Sequence, residues 1–87
     1  MLEFATHQEL AAHVRDVLLR KGDLDDSTPM VEKAILRREE RIGVEFTILA
    51  PRSVRLSAIW AADEKRIHFY DAEGARFSSV DAGDKNL

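Results

Sequence analysis

Histidine, arginine and tyrosine are the side chains here best suited to chemistry, and their spacing decides which kind. His7 and His13 are six positions apart. On one helix that spacing turns them about 120° away from each other, so they cannot share a metal ion. His68 stands alone in sequence, and no serine sits in a nucleophile elbow. No glycine-rich run can cradle a phosphate. Asp23, Asp25 and Asp26 put three acids within four positions, but they lack the glycine and distal glutamate of a calcium loop. These residues point away from catalysis, and no cofactor or metal is expected. Arg55, Arg66, His68, Tyr70 and Arg76 form a different kind of set. Arginine and tyrosine are favoured at protein interfaces, and aromatics with arginines can also hold single-stranded nucleic acid.

Strands must position that set. Ile42, Val44, Phe46 and Ile48 recur at every second position. So do Val54, Leu56, Ala58 and Trp60, and then Ile67 and Phe69. A period of two marks strands with one buried face. Directly opposed residues of a hairpin share a face, so each loop length can be tested against the apolar pattern. Pairing Ile48 with Val54 needs an odd loop, met by Ala50-Pro51-Arg52. Pairing Trp60 with Ile67 and Ala58 with Phe69 needs an even loop around Asp63-Glu64. Pairing Phe69 with Phe77 needs an odd loop, met by Ala72-Glu73-Gly74, with Gly74 free to take a left-handed position. On the opposite face Ile59 then opposes His68, Ser57 opposes Tyr70, and Tyr70 opposes Arg76.

A helix precedes the strands. Thr6 and Glu9 fit a capping box. Leu10, Val14, Val17 and Leu18 form one apolar stripe. Arg20 and Lys21 complement the C-terminal dipole, and Gly22 is a natural stop. Leu2 and Phe4 suit either a short edge strand or packing beneath the helix. Residues 30–41 read two ways. Their composition favours helix after a Thr28-Pro29 cap. The alternative is a strand over 33–38, a tight turn at Glu39-Glu40, and a pairing of Ile35 with Val44.

The series Ala50-Pro51-Arg52, Ala58-Ile59-Trp60, Phe69-Tyr70 and Gly74-Ala75-Arg76-Phe77 resembles a group of short bacterial proteins with a Gly-Pro-Arg, Ala-Ile-Trp, Phe-Tyr, Gly-x-Arg-Phe pattern. That group tends to carry glycine pairs near positions 38–40, so the resemblance implies a hairpin there. This chain instead has Arg38-Glu39-Glu40, and Ala50 where glycine is usual. The resemblance brings no activity with it.

Composition sets outer bounds. Eighty-seven residues with 45% hydrophobic content suffice for one small domain. The formal charge is −3, unlike the basic face of a strong nucleic-acid binder. There is no cysteine, and no apolar run approaches the length of a membrane span. Met1-Leu2-Glu3-Phe4 lacks the form of a secretory signal. Cytoplasmic location and no membrane partner are expected.

The expected fold is α+β: one N-terminal amphipathic helix on a four- to five-stranded antiparallel meander. Residues 1–77 form the domain and 78–87 a flexible tail. The expected function is a small non-catalytic module that binds a protein partner or a second copy through the outer sheet face or an edge strand. Single-stranded RNA or DNA is the alternative ligand. The candidate binding residues are Arg52, Arg55, Ile59, Arg66, His68, Tyr70 and Arg76, with Arg52 presented by the turn after Pro51.

Overall fold

The structure is a computed structural model that describes residues 2–83. In chain order the elements are β1 (Leu2–Glu3), α1 (His7–Gly22), β2 (Met30–Arg37), β3 (Glu40–Leu49), a short 3-10 turn (Pro51–Ser53), β4 (Arg55–Ala61), β5 (Arg66–Tyr70) and β6 (Arg76–Gly83). The strands form one sheet in the order β1-β6-β5-β4-β3-β2. β2 to β6 make a five-stranded antiparallel meander, and β1 adds in parallel to β6.

The helix starts where the capping box places it. Thr6 Oγ1 accepts from the Glu9 N–H at 3.2 Å. The Glu9 carboxylate reaches one residue further back than a standard box, accepting from the Ala5 N–H at 2.7 Å. The stop falls at Asp23, which takes the left-handed conformation, with φ 52°. Asp23 N–H donates to Arg20 O and Leu24 N–H donates to Leu19 O, closing the last turn in a Schellman arrangement. Gly22 is the last helical residue. A Cβ there would lie 2.8 Å from Leu56 Cδ1, so the helix end sits tight against β4.

Leu10, Val14 and Leu18 are fully buried against Phe46, Ile48, Leu56, Ala58, Trp60, Ile67 and Phe69. The helix packs chiefly on β3 and β4. Two residues of the apolar alternation stay partly open, at opposite ends of the strands. Ile42 is 37% exposed, and Val54, in the loop before β4, is 38% exposed.

Residues 30–41 form the strand hairpin. Arg38 and Glu39 make its two-residue turn, both at positive φ (52° and 67°), the primed geometry that matches strand twist. The turn lies one residue earlier than Glu39-Glu40. Arg37 therefore pairs with Glu40 and Leu36 with Arg41. A bulge follows: Ile35 pairs with Gly43 and Ala34 with Val44, so Ile42 is the extra residue of β3. Ile35 thus lies on the outer face rather than opposite Val44. Gly43 is required beside the bulge, because a Cβ there would lie 2.3 Å from the Trp60 carbonyl oxygen.

The β3–β4 connection keeps its odd parity but is longer. Ile48 pairs with Leu56 rather than Val54, and the Ala50 N–H donates to Val54 O. The β4–β5 register agrees at every expected pair. At β5–β6 a bulge at Phe77 places Ser78 opposite Phe69 while Tyr70 still opposes Arg76. Phe77 remains 6.0 Å from Phe69, centroid to centroid. Gly74 takes the left-handed position, with φ 82°.

The segment expected to be a tail is different. β6 continues to Gly83, pairing Val80 with Ile67 and Asp81 with Arg66. Val80 packs on the core and Ala82 is fully buried within it. Small and polar letters hid an alternating strand. Residues 84–87 lie outside the described residues.

Candidate functional site

The sheet has two places where side chains or backbone groups meet solvent together: its face away from the helix, and the free edge of β2.

On the outer face, registry brings the candidate set together. Ile59 stands opposite His68, Ser57 opposite Tyr70, and Tyr70 opposite Arg76. His68 is 9% exposed, and both ring nitrogens are engaged. Nε2 lies 3.0 Å from Glu64 Oε1 and Nδ1 lies 2.8 Å from Ser79 Oγ. A carboxylate only accepts, so Nε2 carries the proton toward Glu64. Nδ1 then accepts from the Ser79 hydroxyl and faces Arg76 Nη1 at 3.4 Å. Arg66 Nε donates to Asp81 Oδ1 at 2.9 Å. Glu64, Ser79 and Asp81 were invisible as partners in the sequence. Glu64 lies in a turn, while Ser79 and Asp81 lie in the segment read as a tail.

These contacts change what the face can do. The His68 ring is held edge-on by its neighbours, and the Arg66 charge is already paired. Arg55 is exposed on β4, and Arg52 is exposed in the 3-10 turn at φ 65°. Arg52 and Arg55 do not join the His68 network. Ile59 and Tyr70 are half-buried. Open clefts of about 410 Å³ occur elsewhere, one at the tips of the β2–β3 and β4–β5 turns and one beside Pro29 and Pro51. Neither is lined by any of the seven candidate residues.

Other polar groups of interest serve local structure. Asp25 Oδ1 accepts from the Ser27 N–H at 2.9 Å and lies 3.1 Å from its hydroxyl. The Ser27 N–H, then its hydroxyl, hold the Asp25 carboxyl below its usual pKa. Arg15 caps the Asp26 carbonyl. Among the described residues, no group of three or more metal-ligating side chains is placed to hold an ion. Among them too, no helix is long and apolar enough to cross a membrane.

Among the described residues, β2 has no neighbour on its outer edge. The Leu49 N–H donates to Pro29 O at 3.0 Å, and the register carries Pro29 opposite Leu49. That fixes the phase of the ladder, because antiparallel pairs alternate between bonded and non-bonded. Val31, Lys33 and Ile35 direct their N–H and C=O at β3. Met30, Glu32, Ala34 and Leu36 direct theirs at the open edge. Side chains on both faces are also accessible: Val31 is 49% exposed and Leu36 63%. Inward, Glu32 is tied to the helix, with Oε1 2.5 Å from His7 Nε2. At the sheet's other end the edge strand β1 has only two residues.

The chain matches no protein-family model, no curated protein and no solved structure.

Proposed function

We propose that this protein is a small non-catalytic interaction module that accepts an extended strand along the free edge of β2. One observation carries the reading: an eight-residue edge strand whose outward backbone groups pair with no other strand among the described residues and whose flanking Val31 and Leu36 are open to solvent. An added strand gains main-chain hydrogen bonds from the edge and side-chain contacts from the two flanking faces. The outer sheet face is the weaker surface, since its His68 is already engaged by Glu64 and Ser79 and its Arg66 by Asp81.

Proline substitution separates edge from ladder. Ala34→Pro removes an N–H that points outward, so β2 keeps its bonds to β3 while losing its ability to pair. Affinity capture with the wild type, Ala34→Pro, and the double variant Ile59→Ser/Tyr70→Ser tests the reading. Binding lost in Ala34→Pro and kept in the double variant supports the edge. The reverse pattern moves the site to the outer face and overturns it.

A further inference from the structure

We infer that the occupant of the β2 edge is a second copy of this chain, paired antiparallel about a two-fold axis at Lys33. This rests on the edge-binding reading above and names its partner.

The ladder phase restricts how two β2 edges can meet. In a continuous antiparallel sheet, bonded residues must face bonded residues. Met30, Glu32, Ala34 and Leu36 of one copy must therefore face the same set of the other. Centring the axis on Lys33 places Glu32 opposite Ala34 of the second copy and Met30 opposite Leu36. On the outer face it places Val31 opposite Ile35, and Lys33 opposite its own counterpart. Met30, Val31, Ile35 and Leu36 thus all find apolar partners, and Ala34 alone meets a polar one, Glu32. Shifting the axis by one residue loses this match. One direction sets Glu32 against itself and Val31 against Lys33. The other sets Glu32 against Leu36 and Val31 against Arg37.

The like charges at the axis are not isolated. Lys33 stands opposite Glu45 within its own chain. Across the joined sheet the row reads Glu45, Lys33, Lys33, Glu45, so each lysine has a glutamate as its cross-strand neighbour. Pairing also closes the assembly. Both outer ends of the joined sheet are then β1 strands of two residues, too short to template further addition.

The chain has no cysteine, so one introduced thiol reports the register. At the non-bonded Lys33 pair the Cα atoms come within about 4.5 Å, inside disulfide range. Under mild oxidant Lys33→Cys is expected to give a covalent dimer at least about tenfold faster than Val31→Cys or Ile35→Cys alone, whose thiols lie about 13 Å from their own counterparts. A mixture of Val31→Cys and Ile35→Cys is expected to form the mixed disulfide in preference to either homodimer. Lys33→Thr removes the axial repulsion and is expected to tighten the dimer about two- to fivefold by analytical ultracentrifugation.

Equal cross-linking of all three variants, or none above the rate in denaturant, overturns self-pairing. So does a wild type that sediments as monomer at several hundred micromolar. These outcomes are distinct from failure of the edge reading. Self-association that survives Ala34→Pro rejects the edge itself. Self-association that Ala34→Pro abolishes, but with cross-links in another register, rejects only the Lys33-centred pairing.

Discussion

Glu32 Oε1 lies 2.5 Å from His7 Nε2, so the free edge strand is pinned to the first turn of the helix. The His7 ring in turn stacks on Phe46, with centroids 5.9 Å apart. The contact helps to fix the outermost strand: Met30 packs on the core at its start, but its remaining helix-side residues, Ala34 and Leu36, are exposed. A strand that must accept a partner gains from being held still before binding.

Glu32→Gln is expected to lower global stability by only about 0.5 kcal/mol, because both side chains are more than one-third exposed and solvent screens the pair. Its local effect is larger. Amide exchange at Val31 and Lys33 is expected to quicken while exchange in β4 and β5 stays unchanged. Uniform acceleration across the sheet would show that the contact does not act on β2 alone.

Gly43→Ala tests the bulge. Its Cβ would meet backbone rather than a movable side chain, so β3 and β4 must separate locally. A destabilisation of about 1–3 kcal/mol is expected in urea unfolding. A neutral result would mean that the hairpin relaxes without cost.

His68→Ala is expected to cost about 1–3 kcal/mol, since it leaves the half-buried Ser79 hydroxyl without its partner. Ser79→Ala removes the weaker half of the network and is expected to cost less. The double variant is expected to be more stable than the two separate losses added together, a coupling measurable in a double-mutant cycle.

The Asp25 carboxyl, held by Ser27, has a folded pKa below its unfolded value. In that window the unfolded chain binds more protons, so stability rises with pH. The contribution of Asp25 is present above the unfolded pKa and is lost as pH falls through the folded one. The Asp25 carboxyl resonance is expected to titrate below the ordinary aspartate range, and Ser27→Ala, which keeps the backbone N–H and removes only the hydroxyl, to move it part of the way back up.

Much of the meander was legible because loop parity constrains register. Ile59 with His68, Ser57 with Tyr70 and Tyr70 with Arg76 all follow from the loop around Asp63-Glu64 and from Gly74. What parity cannot see is a bulge. Ile42 and Phe77 each add one residue to a strand: the early turn together with the Ile42 bulge displaced Ile35 from Val44, and the second bulge displaced Phe77 from Phe69. The hairpin turn was hard to place because Arg38 and Glu39 take positive φ without glycine. The outer face was legible as a set of residues but not as a network. Glu64, Ser79 and Asp81 come from a turn and from a strand whose polar letters resemble a tail. An edge strand was expected as one binding surface, but that it would be β2 was not legible, since whether β2 has a neighbour depends on sheet order rather than on its own sequence.

Amide exchange in β2 tests the edge most directly, comparing dilute protein with protein at several hundred micromolar. Edge pairing predicts fast exchange at Glu32 and Ala34 when dilute, with Val31 and Lys33 already slow. On concentration, Glu32 and Ala34 become protected and the rest of the sheet is unchanged. Contradiction would be protection that appears at Ile59 or Tyr70 while Glu32 and Ala34 stay fast.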